Sequence, residues 1–200
     1  NKESISTGQV IISDSRVHQI RDVLRMKVGD EVIALDNTGE EYHVRLISIS
    51  QKEVVGEILS QKKCEAEPRT KITLYQSMLA RDKFEVVLQK CTEAGVTCFV
   101  PVITERSIVR KTDKITKEKL SRFESIIAEA AEQSGRGIIP SLKNPVVMTQ
   151  ALSEMDGYDI CLVGSTQDCI SLKNILRSCA AVPEKIALFI GPEGGFSDSE

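Results

Sequence analysis

The sequence predicts a small β domain followed by a larger α/β domain with a mostly parallel sheet. Three observations carry that prediction. Short apolar runs with alternating polarity crowd the first third of the chain. In the remaining two thirds, strand-like runs alternate with runs of helical period, the pattern of βα units on a parallel sheet. Late in the chain five apolar residues, Ile186 to Ile190, stop abruptly at Gly191-Pro192-Glu193-Gly194-Gly195. That is how a short strand buried on both faces meets a loop.

Taken in order, residues 10–12, 31–35, 41–47 and 53–59 are the strand segments of the β domain. Tyr42, Val44 and Leu46 alternate with polar residues, as on a half-buried strand. Asp36-Asn-Thr-Gly39 supplies a turn. Residues 16–25 are the one helical stretch here, with Val17, Ile20, Val23 and Leu24 on one face. Several short strands at close spacing suggest a small barrel. Residues 61–70 are polar, contain Pro68 and read as the linker. The domains are therefore placed at 1–68 and 69–200.

In the second domain residues 72–75 are a strand. Residues 83–94 form a helix with Phe84, Val87, Leu88 and Cys91 on one side and Gly95 as its cap. Residues 98–102 are a strand that Pro101 places near an edge or a strand end. Residues 118–134 form a long helix whose apolar face carries Leu120, Phe123, Ile126, Ile127, Ala130 and Ala131, and Gly135 stops it. A strand at 159–163, a helix at 172–179 and a strand at 185–190 complete the pattern.

Composition narrows the class. Apolar residues make up 41% of the 200-residue chain and charged residues 28%, as in an ordinary globular protein. No run approaches the roughly 20 apolar residues of a membrane span, and the first residues are not a secretory leader. The six cysteines contain no C-x-x-C pair and there are two histidines, which argues against a zinc site. Most of these cysteines lie in apolar runs and read as buried thiols of a cytosolic protein. The net charge of −3 argues against a strongly basic nucleic-acid coat but leaves local patches open.

Two such patches exist. Residues 105–122 hold seven Lys or Arg against three acidic residues, a local surplus of +4. Arg16, Arg21, Arg25 and Lys27 form a second group in the β domain. Local positive fields are what an RNA-binding face needs, since phosphates dominate such affinity; a solvated surface is the alternative. His18 reads as structural and His43 is given no role. Glu129 and Gln133 share one helix face beside Arg136, either as a solvated helix end or as a polar site bordering a cleft.

The glycine loop is the sharpest functional signal. Glycine lets a ligand approach the backbone, and the carboxyl end of a buried strand is where open α/β sheets bind ligands. No Gly-Lys-Ser/Thr follows and no G-x-G-x-x-G is present, so it is not a phosphate loop. Glu193 suits a ligand with hydroxyls or positive charge. A plain tight turn is the alternative reading.

Together these stretches resemble one family. His18, Val23-Leu24-Arg25 and Val28-Gly29-Asp30 look like its opening motif. Gln89-Lys90-Cys-Thr-Glu93-Ala-Gly-Val96, Pro101-x3-Glu105-Arg106-Ser107, Glu129-Ala-Ala-Glu-Gln-Ser134-x-Arg136 and Gly191-Pro-Glu-Gly-Gly-Phe196 follow in the expected order. The family is that of the RNA methyltransferases that make 3-methyluridine in small-subunit (16S) ribosomal RNA, within the SPOUT superfamily.

The resemblance implies a PUA-like β-barrel followed by a SPOUT-type α/β domain with a C-terminal trefoil knot. It implies S-adenosylmethionine as methyl donor, a homodimer, and small-subunit ribosomal RNA or the assembled small subunit as partner, with no metal and no membrane. Gly191, Glu193, Gly194 and Gly195 match one donor loop, and Val163-Gly164 matches a second. Arg25, Arg106 and Arg136 are the candidates for holding RNA or the reacting uridine, and no general base is assigned. Arg16, Arg21, Arg25, Lys27, Arg106, Arg110, Lys111 and Arg136 are candidates for RNA contact. The family continues past the glycine loop with segments that complete the knot, whereas this sequence ends at Glu200, so a truncated knot is expected. A non-catalytic RNA-binding ribosome-assembly factor is the competing reading.

Overall fold

A computed structural model describes residues 5–6, 8–13, 15–109, 115–165 and 170–200. The chain separates into two compact units. The first comprises residues 1–67 together with 135–138, and the second comprises 68–134 and 139–200.

The first unit is a five-stranded antiparallel sheet. Its strands are β1 (Ile5–Ser6), β2 (Gln9–Ser13), β3 (Glu31–Leu35), β4 (Glu40–Ile49) and β5 (Glu53–Lys63), in the order β1-β2-β5-β4-β3. Val44, Leu46 and Val54 are fully buried, and Val17 and Ile20 pack against the last two. The strand β5 extends beyond the expected segment into the polar stretch read as linker. Lys62 and Lys63 lie opposite Glu41 and Glu40, and Lys62 Nζ is 3.3 Å from Glu41 Oε1. Cross-strand opposite charges hold a polar strand end that apolar patterning does not reveal.

The expected helix over 16–25 is present only in part. Helix α1 (Ser15–His18) runs into a π turn over Gln19–Val23, where Leu24 N donates to Gln19 O at 2.8 Å. The wider turn rotates the face. Val17 and Ile20 stay buried, whereas Val23 and Leu24 are 64% and 59% exposed. Arg25 follows with φ of 54°, a region that non-glycine residues seldom adopt.

The second unit is built on parallel strands β6 (Lys71–Ser77), β7 (Val96–Ile103), β8 (Ser141–Leu142), β9 (Val146–Val147), β10 (Ile160–Val163) and β11 (Lys185–Ile190). Their order is β10-β11-β6-β7-β8, with β9 also pairing β7. Helices α2 (Arg81–Glu93) and α3 (Lys117–Gln133) cover one face. There Phe84 and Leu88 of α2 and Phe123 and Ile127 of α3 pack with Leu74, Phe99 and Ile103. Helix α4 (Met148–Leu152) covers the other face through Met148 and Ala151, against Tyr75, Val100, Val102 and Phe189. Helix α5 (Leu172–Ser178) has no fully buried residue. Gly95 and Gly135 end α2 and α3 with φ of 101° and 66°, conformations closed to most side chains.

Pro101 lies in an interior strand, not at an edge or a strand end. On one side it sits opposite Gln76 of β6. On the other, β7 pairs β8 at Cys98 and Phe99 and β9 at Val102 and Ile103. Pro101 falls in the interval between those two short strands, where a missing N–H breaks no ladder on that side. Strands of two residues carry too little pattern to be read from sequence, so this interval was not foreseeable.

Candidate functional site

The parallel arrangement puts the carboxyl ends of β6, β7, β10 and β11 along one rim. From β6 the chain moves outward through β7 to β8. It then crosses to β10 and returns through β11, beside β6. The carboxyl ends of β11 and β6 therefore lie side by side in the middle of the sheet, and the carboxyl ends of parallel strands are where open α/β sheets take ligands. The glycine loop leaves β11 at that point.

The loop is a tight backbone arch. Gly195 N donates to Pro192 O at 2.9 Å, and Gly195 has φ of 70°. A Cβ on Gly191 would lie 3.3 Å from Gly195 C and Phe196 N, so a side chain there would force the two ends of the arch apart by a few tenths of an ångström. Pro192 is buried, while Glu193, Gly194 and Gly195 face solvent. Phe196 packs against the core cluster of Tyr75, Val102 and Phe189, and the rings of Tyr75 and Phe189 stack 4.5 Å apart.

Three neighbours define the surroundings. Lys83 Nζ donates to Glu193 Oε1 at 2.8 Å. This lysine beside it, with backbone hydrogen bonds, holds the Glu193 carboxyl below the usual carboxylate range. The pair is exposed, so it is weak and can be traded for a ligand's donor. From the end of β7, Arg106 Nη1 donates to Gly194 O at 2.7 Å and to Phe196 O at 3.1 Å. From β10, Gly164 N donates to Phe189 O at 2.8 Å, and Val163 is 61% exposed. Val163-Gly164 and the 191–196 loop thus flank the end of β11.

Beneath the rim, Gln76 Nε2 donates to Ile190 O at 3.4 Å and to Ser77 O at 3.1 Å. Ser77 is fully buried, and its hydroxyl has no hydrogen-bond partner among the described residues. An orphaned buried hydroxyl is rare. Lys83, Gln76 and Ser77 were not singled out from the sequence. Lys83 and Glu193 are separated by 110 positions, and no local pattern links them.

The remaining sequence candidates divide between the units. Arg16, Arg21, Arg25 and Lys27 belong to the first unit. Arg21 is held by Asp22, with Nε at 2.8 Å from Oδ1 and Nη2 at 2.6 Å from Oδ2. Arg16, Arg25 and Lys27 are exposed. Arg110 and Lys111 lie outside the described residues.

Arg136 differs from expectation: it is 4% exposed and does not stand on a surface ready for RNA. Its Nη2 donates to Glu67 Oε2 at 3.0 Å, and Ile138 N donates to Glu67 Oε1 at 3.0 Å. Both residues belong to the first unit. Residues 135–138 join that unit, as Gly39 N donating to Gly137 O also shows, so the arginine is drawn into an interior. Glu129, Glu132 and Gln133 remain exposed on α3.

An α/β unit with a backbone arch at the carboxyl end of a central strand, preceded by a β unit that carries a local cluster of cations at Arg16, Arg21, Arg25 and Lys27, is an arrangement that suits an RNA-modifying enzyme with its own RNA-binding module. Residues 65–200 match the RNA methyltransferase domain family, and residues 12–59 match the RNA methyltransferase PUA domain. The chain belongs to this RNA methyltransferase family. It is 32% identical over 193 residues to ribosomal RNA small subunit methyltransferase E of Bacillus subtilis, covering 94% of this chain and 75% of that protein. The crystal structure of a ribosomal RNA small subunit methyltransferase E from Neisseria gonorrhoeae, bound to S-adenosyl methionine, superposes with a TM-score of 0.81. It is 30% identical, and the match covers 98% of this chain and 79% of that one. Another solved structure, described as a hypothetical protein, gives a TM-score of 0.87 at 30% identity and covers 100% of this chain and 80% of that one. Both units follow the fold expected from the sequence, a PUA-like domain and a parallel-sheet methyltransferase domain.

Proposed function

We propose that this chain is an S-adenosylmethionine-dependent methyltransferase acting on N3 of a uridine in small-subunit (16S) ribosomal RNA. The observation that carries the reading is the glycine arch at the carboxyl end of the central strand β11 in the second unit. The residues there fit the donor. Gly191, Gly194 and Gly195 expose backbone, Glu193 is an ionised carboxylate suited to hydroxyls or an amine, and Val163-Gly164 forms the second loop. When bound, the donor supplies a methyl group on a positively charged sulfonium, already a strong electrophile.

The chain's own work is then positioning and protection. Uridine N3 carries a weakly acidic proton, which must leave for the nitrogen to attack. The base must also be unpaired or flipped out before N3 is reachable. Holding two reactants in line is worth several kcal/mol of barrier, about 7–11 in well-oriented cases. Arg16, Arg25 and Lys27 supply the exposed cations of the first unit for RNA phosphates.

We further read the protein as a homodimer, supported by exposed apolar side chains on and near β10 and α5. Ile170 is 71% exposed, Leu172 56% and Val182 80%, and large exposed apolar side chains are what a subunit contact would cover. Five described cysteines are free thiols, which suits a cytoplasmic enzyme working on ribosomal RNA. Among the described residues no helix is long and apolar enough to cross a membrane, and no side-chain cluster could hold a metal.

The test is transfer of a tritiated methyl group from S-adenosylmethionine to small-subunit RNA and to assembled small subunits, with the modified nucleoside identified by mass spectrometry. The expected product is 3-methyluridine. RNA binding without donor binding in calorimetry would instead support the non-catalytic assembly factor.

A further inference from the structure

We infer that Arg106 is a positioning residue for the glycine arch and not a contact for RNA phosphate. The inference rests on the reading of that arch as the donor site. Arg106 is exposed on the rim and lies in a basic stretch, so sequence alone places it among the RNA-binding candidates. Its hydrogen bonds point elsewhere. One nitrogen, Nη1, donates both of its protons, to Gly194 O at 2.7 Å and to Phe196 O at 3.1 Å. The stem lies along the loop as well, with Cδ 3.5 Å from where a Gly194 Cβ would stand. A guanidinium grips a phosphate through two parallel N–H groups. With Nη1 already taken by two carbonyls, the end-on fork of this arginine is not free.

The turn that presents Arg106 is built to hold it still. Thr104 and Ser107 are buried. Their hydroxyls are 2.6 Å apart, Ser107 N donates to Thr104 O at 3.1 Å, and Thr104 N donates to Ser107 Oγ at 3.2 Å. A second stitch runs beside the arginine. Glu105 N donates to Glu200 Oε1 at 2.9 Å, Ser197 N donates to Glu200 Oε2 at 3.0 Å, and Ser199 Oγ donates to Glu105 Oε1 at 3.2 Å. The end of β7 is thereby tied to the tip of the arch and to the segment that leaves it. Fixing two carbonyls of a glycine-rich segment removes backbone freedom that a ligand would otherwise have to freeze on binding. The arginine's contribution to the donor site is preorganisation.

The experiment compares the whole protein with Arg106→Ala and Arg106→Lys in three measurements. These are hydrogen exchange across residues 191–197 without ligand, calorimetric titration with S-adenosylmethionine, and salt-dependent binding of a small-subunit RNA fragment. For Arg106→Ala we expect faster exchange in the loop and a donor Kd raised about tenfold, the loss of roughly one charge-assisted hydrogen bond. RNA affinity and its salt slope stay as in wild type. Arg106→Lys retains a charge and one reach to the carbonyls, so it falls between the two and carries the test if the alanine variant does not fold. Unchanged exchange and donor affinity, with an RNA salt slope reduced by about one, would make Arg106 a phosphate contact and overturn the inference. If the wild-type protein fails to bind the donor while Arg106→Ala still loosens the loop, the clamp stands and the donor-site reading falls.

Discussion

Replacing Gly191 by alanine tests the donor site most directly. The added Cβ would lie 3.3 Å from Gly195 C and Phe196 N and 3.4 Å from Gly195 Cα. All three neighbours are backbone atoms, so no flexible side-chain end can swing away. The arch must open by a few tenths of an ångström. Crowding of this kind costs about 1–3 kcal/mol. The arch follows the last strand and is largely exposed, so the strain is released by opening the loop and not by unfolding the sheet. A binding-competent conformation disfavoured by 1–3 kcal/mol weakens donor binding by about 5- to 150-fold. Calorimetric titration of wild type and Gly191→Ala with S-adenosylmethionine measures this. Gly157→Ala is the control, because its Cβ meets nothing within 4 Å. Gly194→Ala meets only the Arg106 side chain, Cδ at an ordinary 3.5 Å and Cβ at 3.8 Å, and is expected to bind within a few-fold of wild type. The branched side chain of Gly194→Val presses on the arginine and is expected to bind less tightly. Donor affinity in Gly191→Ala equal to wild type would refute the reasoning.

Other predictions follow from the same structure. Glu67→Ala leaves the buried Arg136 guanidinium without its carboxylate and is expected to destabilise the first unit by about 3 kcal/mol; a shift below about 0.5 kcal/mol in urea unfolding would return Arg136 to the list of binding candidates. Asp22 is held at about 2, mainly by Arg21 and then by His18. Its folded pKa is depressed, so its stabilising contribution is present above the ordinary value of 3.8 and is lost as pH falls through about 2. Carboxyl NMR should show that midpoint, and Arg21→Met should raise it. Replacing Arg25 and Lys27 together by alanine should lower the salt slope of RNA binding by about 1.5, and an unchanged slope would place the phosphates elsewhere.

Periodicity and punctuation in the sequence determine much of this protein. Phe84, Leu88, Phe123 and Ile127 are apolar at helical spacing and form the buried faces of α2 and α3. Gly95 and Gly135 end those helices because their backbone requires positive φ. The run from Ile186 to Ile190 pairs with strands on both sides, as its unbroken apolarity predicts. These are local signals, and local chemistry decides them.

What the tertiary structure decided are matters of distant pairing. A charge on the sequence carries no record of its partner. Arg106 and Arg136 look alike as exposed-basic candidates, yet one binds carbonyls 88 and 90 residues away and the other a carboxylate 69 residues away. The strand that continues through Lys62 and Lys63 needs Glu41 and Glu40 across the ladder. Pro101 is tolerated inside a sheet because two strands too short to read from sequence leave a gap beside it. Val23 and Leu24 lose their place on the apolar face to a single wide turn. Residue type sets what a side chain can do, while the path of the chain determines which group it meets.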